Sequence, residues 1–335
     1  MTITARLQGR RRALGLGLAL GLLSAAPFAA ATAAAESDYP NRAIKLVVPF
    51  TAGGSSDLQA RLLADRLGKL YGQPVVVDNR PGAGGHIGGK AVADAPADGY
   101  TLLLGSIGLH ATYGVFPKLN YNPATDLKVV TVLAEMPHVV VANPGVPASN
   151  LRELTALARS KPNALNFGSA GVGSSVHMMG ELYKQVADAP ITHVPYKGSA
   201  AALSDLVAGQ IQLMFENPPT LLSYLQAGKL KALAVTGKTR LPVLPNVPTA
   251  AESGYPAFVA TSWTTVAAGA KVPDAILDKL NADIRRIEQS PEFRKSLEEQ
   301  GMTPVANSRE EAARFIATEK ARWDKVIRDG HVTVE

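Results

Sequence analysis

Ile44-Lys-Leu-Val-Val-Pro-Phe-Thr-Ala-Gly-Gly-Ser-Ser-Asp57, running on as Leu58-Gln-Ala-Arg-Leu-Leu-Ala-Asp-Arg-Leu67, is the stretch that decides the fold. Ile44 to Val48 is a short run of the kind a covered strand uses, and Pro49 stops it. Gly53 and Gly54 admit backbone angles closed to other residues. Ser56 with Gln59 fits a capping box, so one of Ser55 and Ser56 is expected to cap a helix. Leu58, Leu62, Leu63, Leu67 and Leu70 then fall on one helical face. The product is a helix start whose unpaired N–H groups face out of a glycine turn, a general place to hold an anion.

The same order of elements returns further along. Residues 165–168 read as a strand, Ser169-Ala-Gly-Val-Gly-Ser-Ser175 as a second Gly/Ser loop, and Val176, Met179, Tyr183 and Val186 as one face of a second helix. After each helix come a strand (74–78; 191–194), a glycine-containing loop (79–85; 195–199), a helix (87–93; 200–208) and a strand (100–104; 211–215). Such alternation implies βαβ units and mostly parallel sheets. The unit occupies about 44–108 and about 165–217, which predicts two similar α/β lobes, the competing architecture being one doubly wound sheet.

Strands are also expected over 129–134 and 139–142, on either side of Pro137, and over 231–235. Asn150 with Glu153 should cap a helix to Ser160. The Pro-rich stretch 237–256 should wrap the surface and 258–267 return as a strand. Helices over 273–287, 291–299 and 310–327 carry apolar faces (Ile276, Leu280, Ile284, Ile287; Phe315, Trp323, Val326) that should pack on the first lobe. Lobe 1 is then 36–138 with 260–335, and lobe 2 is 139–259. Two chain crossings, near 136–142 and 256–264, would make a hinge and hence a cleft.

Residues 1–35 have the form of a secretory signal peptide. Arg6, Arg10, Arg11 and Arg12 precede an apolar run over 13–26, and Ala33-Ala-Ala35 offers a cleavage site. Its removal takes four of the 34 Lys and Arg and none of the 28 Asp and Glu, so the formal charge falls from +6 to about +2. The basic balance therefore belongs to the leader, and nucleic acid is not an indicated partner. The chain has no Cys, which excludes disulfides, thiol catalysis, Cys-ligated zinc and a lipidated N-terminal Cys. Export points to the periplasm. Gly84-Gly-His-Ile-Gly-Gly-Lys90 has P-loop spacing, but Ala91 stands where a magnesium-binding hydroxyl is needed. There is no Gly-x-Ser-x-Gly elbow for a hydrolase and no zinc-type His pairing, so no enzyme, metal or cofactor is expected.

With these segments in view, the chain resembles the Bug-type solute receptors of tripartite tricarboxylate transporters. The resemblance is carried in order by Tyr39-Pro40, Val48-Pro-Phe50 with Gly53-Gly-Ser-Ser-Asp57, Asn79-Arg-Pro-Gly-Ala-Gly-Gly85, Asp98-Gly-Tyr100, Gly168-Ser-Ala-Gly-Val-Gly-Ser174, His193-Val-Pro-Tyr-Lys-Gly198 and Pro248-Thr-Ala-Ala-Glu-Ser-Gly-Tyr-Pro256. It implies a two-lobed periplasmic binding protein of the type II-like, Venus-flytrap kind. It also implies a small carboxylate ligand, held by the two Gly/Ser loops through backbone amides and bridging water. A two-subunit membrane permease is the implied partner, served by a monomeric receptor. Thr51-Ala52 departs from the family, which often has prolines before Gly-Gly.

In an open α/β sheet ligands bind beyond the carboxyl ends of the strands. That places Phe50, Gly54, Ser55, Ser56 and Asp57 of the first loop at the site, with Ser169, Gly173, Ser174 and Ser175 of the second. Ser106, Gly108, Tyr196, Gly198 and Glu216 stand at the other strand ends. Asn217 joins Glu216 as a candidate for tuning selectivity toward hydroxylated or amine-bearing ligands. Both Gly/Ser loops are free of Arg and Lys, so amides and hydroxyls must carry the binding. A sensor passing the same solute to a signalling partner would look identical.

Overall fold

The structure is a computed structural model that describes residues 39–334. The leader read over 1–35 lies outside them. β1 (Ile44–Val48) turns through Gly53 into α1 (Ser55–Tyr71), followed by β2 (Val75–Asn79), α2 (His86–Ala93) and β3 (Thr101–Ser106). Single-turn α3 (Ile107–His110) and α4 (Pro123–Asp126) lead to β4 (Leu127–Pro137). The chain then makes β5 (Val139–Ala142), α5 (Leu151–Ser160), β6 (Asn166–Ser169), α6 (Ser175–Ala187), β7 (Thr192–Pro195), α7 (Ser199–Val207), β8 (Leu213–Glu216), α8 (Pro218–Gln226) and β9 (Lys231–Val235). It returns in β10 (Thr261–Gly269) and finishes with α9 (Asp274–Glu288), α10 (Pro291–Glu298), the two-residue β11 (Thr303–Pro304) and α11 (Arg309–Asp329). Among the described residues no helix is long and apolar enough to cross a membrane.

These strands form two sheets, ordered β11-β4-β10-β3-β1-β2 and β7-β6-β8-β5-β9. The single doubly wound sheet is therefore excluded. The apolar runs explain which strands are central: Leu102, Leu103 and Leu104 of β3, and Val139 to Val141 of β5, are fully buried. Both sheets are mixed, against the expectation of mostly parallel ones. β1 pairs β2 and β3 in parallel, and β6 pairs β7 and β8 in parallel, as βαβ crossovers require. The strands next to the crossings run the other way. β10 is antiparallel to β3 and β4, and β5 is antiparallel to β8 and β9.

The chain leaves the first sheet at Pro137, enters the second at Val139, and comes back at Thr261. One side chain fastens both passages. Thr236 Oγ1 accepts from His138 N (2.8 Å) and donates to the Ala260 carbonyl (2.7 Å). Its backbone bonds the same two residues, through Thr236 N to His138 O and Ala260 N to Thr236 O.

One local expectation fails and another is extended. The Ser56–Gln59 capping box does not form, because extended Gly54 (φ −80°, ψ 169°) is the cap and Ser55 is already helical. Gln59 instead turns inward, donating to the Ser55 carbonyl (3.3 Å) and accepting from Thr264 Oγ1 (2.6 Å). The Asn150–Glu153 cap does form, Asn150 Oδ1 accepting from Glu153 N at 3.0 Å. The final helix packs on the first sheet as its apolar face implies, and on the second as well: Phe315 of α11 sits edge-on to Trp263 of β10 at 5.5 Å, while Gln185 of α6 donates to the Val326 carbonyl. Trp323 and Val326 share one apolar core with Met179 and Tyr183 of α6.

Candidate functional site

Four helices begin around one cleft: α1 after Gly54, α6 after Ser174, α7 after Gly198 and α8 after Asn217. The cleft holds about 500 Å³ of empty space, part of it open to solvent. From the first sheet it is lined by Phe50, Thr51, Gly54, Ser55, Ser56, Ser106, Met136, Ser262, Trp263 and Thr264. From the second come Ala170, Ser174, Ser175, Val176, Ser199 and Asn217. Among the described residues no Asp, Glu, Lys, Arg or His is in the lining. The field inside is set by helix starts, each favouring an anion by about 0.3–1 kcal/mol, and up to about 2 when partly buried. α8 contributes least to direct bonding, since Pro218 and Pro219 carry no N–H.

The first loop is stiffened by Asp57. Its carboxylate accepts from Gly53 N (3.0 Å), from Arg61 Nε and Nη2 (2.9 and 3.0 Å) and from Asn79 Nδ2 (3.0 Å). Burial opposes its ionisation, but Arg61, the Gly53 amide and Asn79 prevail and hold the carboxyl below its ordinary range. Asp57 thus binds the turn to itself and to β2 and does not line the cleft. The Asn79 amide also donates to Phe50 O at 3.0 Å, which fixes the start of the turn.

The second loop is held by a histidine pair. Ser174 Oγ caps α6 by accepting from His177 N (3.3 Å), and His177 Nδ1 accepts from Gly173 N (3.1 Å). His177 stacks on His193 at 3.9 Å, and His193 Nε2 lies 2.6 Å from Ser169 Oγ. Burial pushes His177 down to about 2 and His193 to about 4, so both rings are neutral near pH 7 and act as props.

Of the residues anticipated from sequence, Phe50, Gly54, Ser55, Ser56, Ser106, Ser174, Ser175 and Asn217 meet in the cleft. The others stand behind it. Ser169 supports Gly171 N at 3.1 Å. Gly173 (φ 76°) makes the turn, its carbonyl taking a 2.7 Å bond from Thr112 Oγ1 of the first sheet's side. At Gly108 a Cβ would lie 2.9 Å from Gly84 O and 3.2 Å from Gly173 O, so it lets the chain pass close to the 79–85 loop and the second Gly/Ser loop. Gly198 does the same against Thr51. Tyr196 is turned away, donating its hydroxyl to Asp205 at 2.7 Å. Glu216 is fully buried behind Asn217.

Sequence reading missed the wall made by Ser262, Trp263 and Thr264. Nothing local marks them, because their place follows from β10 landing beside β3, with Thr264 opposite Ser106. A second, more open groove lies between β4, α9 and α11. In it Arg309 is paired with Asp274 and Asp278, and Lys128 with Asp274.

The model of the tripartite tricarboxylate transporter family receptor matches residues 59–331. Protein BugT of Bordetella pertussis is 39% identical over 312 residues, 92% of this chain and 95% of that protein. The R. palustris protein Rpa4515, solved with adipate, superposes with a TM-score of 0.86 at 40% identity, over 88% of this chain and 99% of that one. MatC from Rhodopseudomonas palustris, solved with bound malate, gives 0.82 at 35% identity, over 86% and 100%. With its two-sheet α/β fold and its cleft of helix starts, this chain belongs to the tripartite tricarboxylate transporter receptor family, whose members are periplasmic solute-binding proteins and not enzymes.

Proposed function

We propose that this receptor captures a small carboxylate in the cleft between its sheets, closes over it and delivers it to a two-subunit membrane permease. The observation that carries the proposal is a site with four helix starts and no ionisable side chain. Such a site favours an anion without a dedicated Arg, and gives a cation nothing to pair with. The adipate and malate bound by two similar proteins agree with that chemistry. In this reading the segments 36–138 with 260–335, and 139–259, move as two lobes about the Thr236 junction. Residues 1–35 direct export and are absent from the working receptor, which acts as a monomer.

A thermal-shift screen of mono-, di- and tricarboxylates, amino acids and aromatic acids tests this directly. A ligand at 100 times its Kd stabilises the protein by about 2.7 kcal/mol. A carboxylate should give such a shift, with the ligand recovered unchanged. A melt that no carboxylate moves would refute the proposal.

A further inference from the structure

Two residues of the cleft wall, one from each sheet, each carry a buried polar atom with no partner among the described residues. Ser106 and Asn217 both line the cleft, and each is only 8% exposed. Yet Ser106 Oγ and Asn217 Oδ1 make no hydrogen bond. Leaving a buried polar atom unpaired is expensive, so a partner is to be expected from whatever fills the cleft.

The two atoms ask for different things. A serine hydroxyl both donates and accepts, so a carboxylate oxygen satisfies Ser106. Asn217 Oδ1 only accepts, and a carboxylate has no proton to give it. The amide is held in this sense by its neighbour. Glu216 Oε1 accepts from Asn217 N at 2.8 Å and from Asn217 Nδ2 at 3.3 Å, so the NH₂ side faces the carboxyl. The usual duty of an Asn in this place, capping its helix, is weakened here, since Pro219 has no N–H to offer. Asn217 makes no side-chain cap bond. Burial pushes the Glu216 carboxyl above its ordinary range, opposed by the hydroxyls of Ser199 and Thr220 and by Asn217.

We infer that the ligand is a hydroxycarboxylate, its hydroxyl donating to Asn217 Oδ1, and that Asn217 is the residue selecting it over the plain acid. The inference rests on the carboxylate reading above. A bridging water would serve hydroxy and plain acids alike, and an ammonium, another donor a small acid can carry, is disfavoured by the cleft. Four helix starts surround the site and no carboxylate lines it; Asp57 beside it is bound to Arg61, and Glu216 is buried behind Asn217. Glu216 acts through Asn217 and is a positioning residue.

The test uses matched acids differing at one carbon: propionate, lactate and alanine; succinate, malate and aspartate; adipate, 2-hydroxyadipate and 2-aminoadipate. Affinities are measured by calorimetry on the wild-type receptor, then on Asn217→Ala with its ligand-free melt as a folding control. Within the series that binds, the hydroxy acid should bind at least about tenfold tighter than its deoxy partner, with the amino acid weakest. In Asn217→Ala the hydroxy acid should lose affinity until the gap falls below about threefold. Equal binding of hydroxy and deoxy acids, tightest binding of the amino acid, or a tenfold gap surviving in folded Asn217→Ala each overturns the inference alone. If the variant does not fold, the wild-type series decides. Binding of none of these acids, nor of any other carboxylate, removes the carboxylate reading and this inference with it.

Discussion

Gly198→Ala should weaken ligand binding by holding the two sheets apart. Gly198 precedes α7 on the second sheet and faces Thr51 of the first loop. A Cβ built there would lie 2.1 Å from Thr51 Oγ1, with Thr51 Cβ at 3.2 Å and Cγ2 at 3.3 Å. The atom in the way belongs to a short β-branched side chain, whose rotation about χ1 is restricted. The backbone of Gly198 (φ 172°, ψ 164°) is extended, so Ala adds no local strain. The whole cost falls on the approach of the two sheets. Overpacking of this kind costs about 1–3 kcal/mol, which lowers affinity by roughly 5- to 150-fold. Calorimetry with whichever carboxylate binds gives the loss, and the ligand-free melt gives the share of that cost the empty protein already carries. Thr51→Ala removes both crowding atoms, so the double variant should bind within about threefold of Thr51→Ala alone. Wild-type affinity in Gly198→Ala would refute the reasoning, since the loops would then not need to meet there. So would a double variant no better than the single one.

Two further substitutions test features away from the ligand. Burial pushes Glu288 up to about 8 against an ordinary 4.5, so the folded chain keeps a proton there that the unfolded chain releases. That contribution is complete below about pH 4.5 and is lost as pH rises through 8, so Glu288→Gln should stabilise by roughly 2–4 kcal/mol at pH 9 and by almost nothing at pH 4 in urea melts. A gain that does not vary with pH would contradict the assignment. Thr236→Val keeps the shape but strips the hydroxyl from His138 N and the Ala260 carbonyl. It should cost about 2 kcal/mol and speed amide exchange at both crossings, and a loss under about 0.5 kcal/mol would show that the junction does not depend on that side chain.

Much of the fold was legible because its signals are local. Ile44 to Val48, the glycines at 53 and 54, and the apolar spacing through Leu63 and Leu67 each act within a few residues. The same holds for Asn150 with Glu153. The cleft was half legible for the same reason, as Ser55, Ser56, Ser174 and Ser175 belong to loops that announce themselves. Competition between neighbours was not legible. Gly54 took the cap from Ser56, Arg61 and Asn79 claimed Asp57, and Asp205 drew Tyr196 outward. Nor could local pattern place Trp263 and Thr264, whose position depends on a strand laid down more than a hundred residues after its partners.

That late strand governs the order in which the molecule can be assembled. β10 lies between β3 and β4 in the first sheet, yet follows both, and the whole second sheet, along the chain. A growing chain that has made its first 137 residues holds β3 and β4 with a strand-wide gap between them. No amount of waiting closes it until residues 261–269 appear. The second sheet, made from one unbroken segment, is free to form in the meantime. Non-local pairing of this kind is slow to form, since a long loop must close before any contact rewards it. The strand that locks the molecule is thus also one of the last to be made.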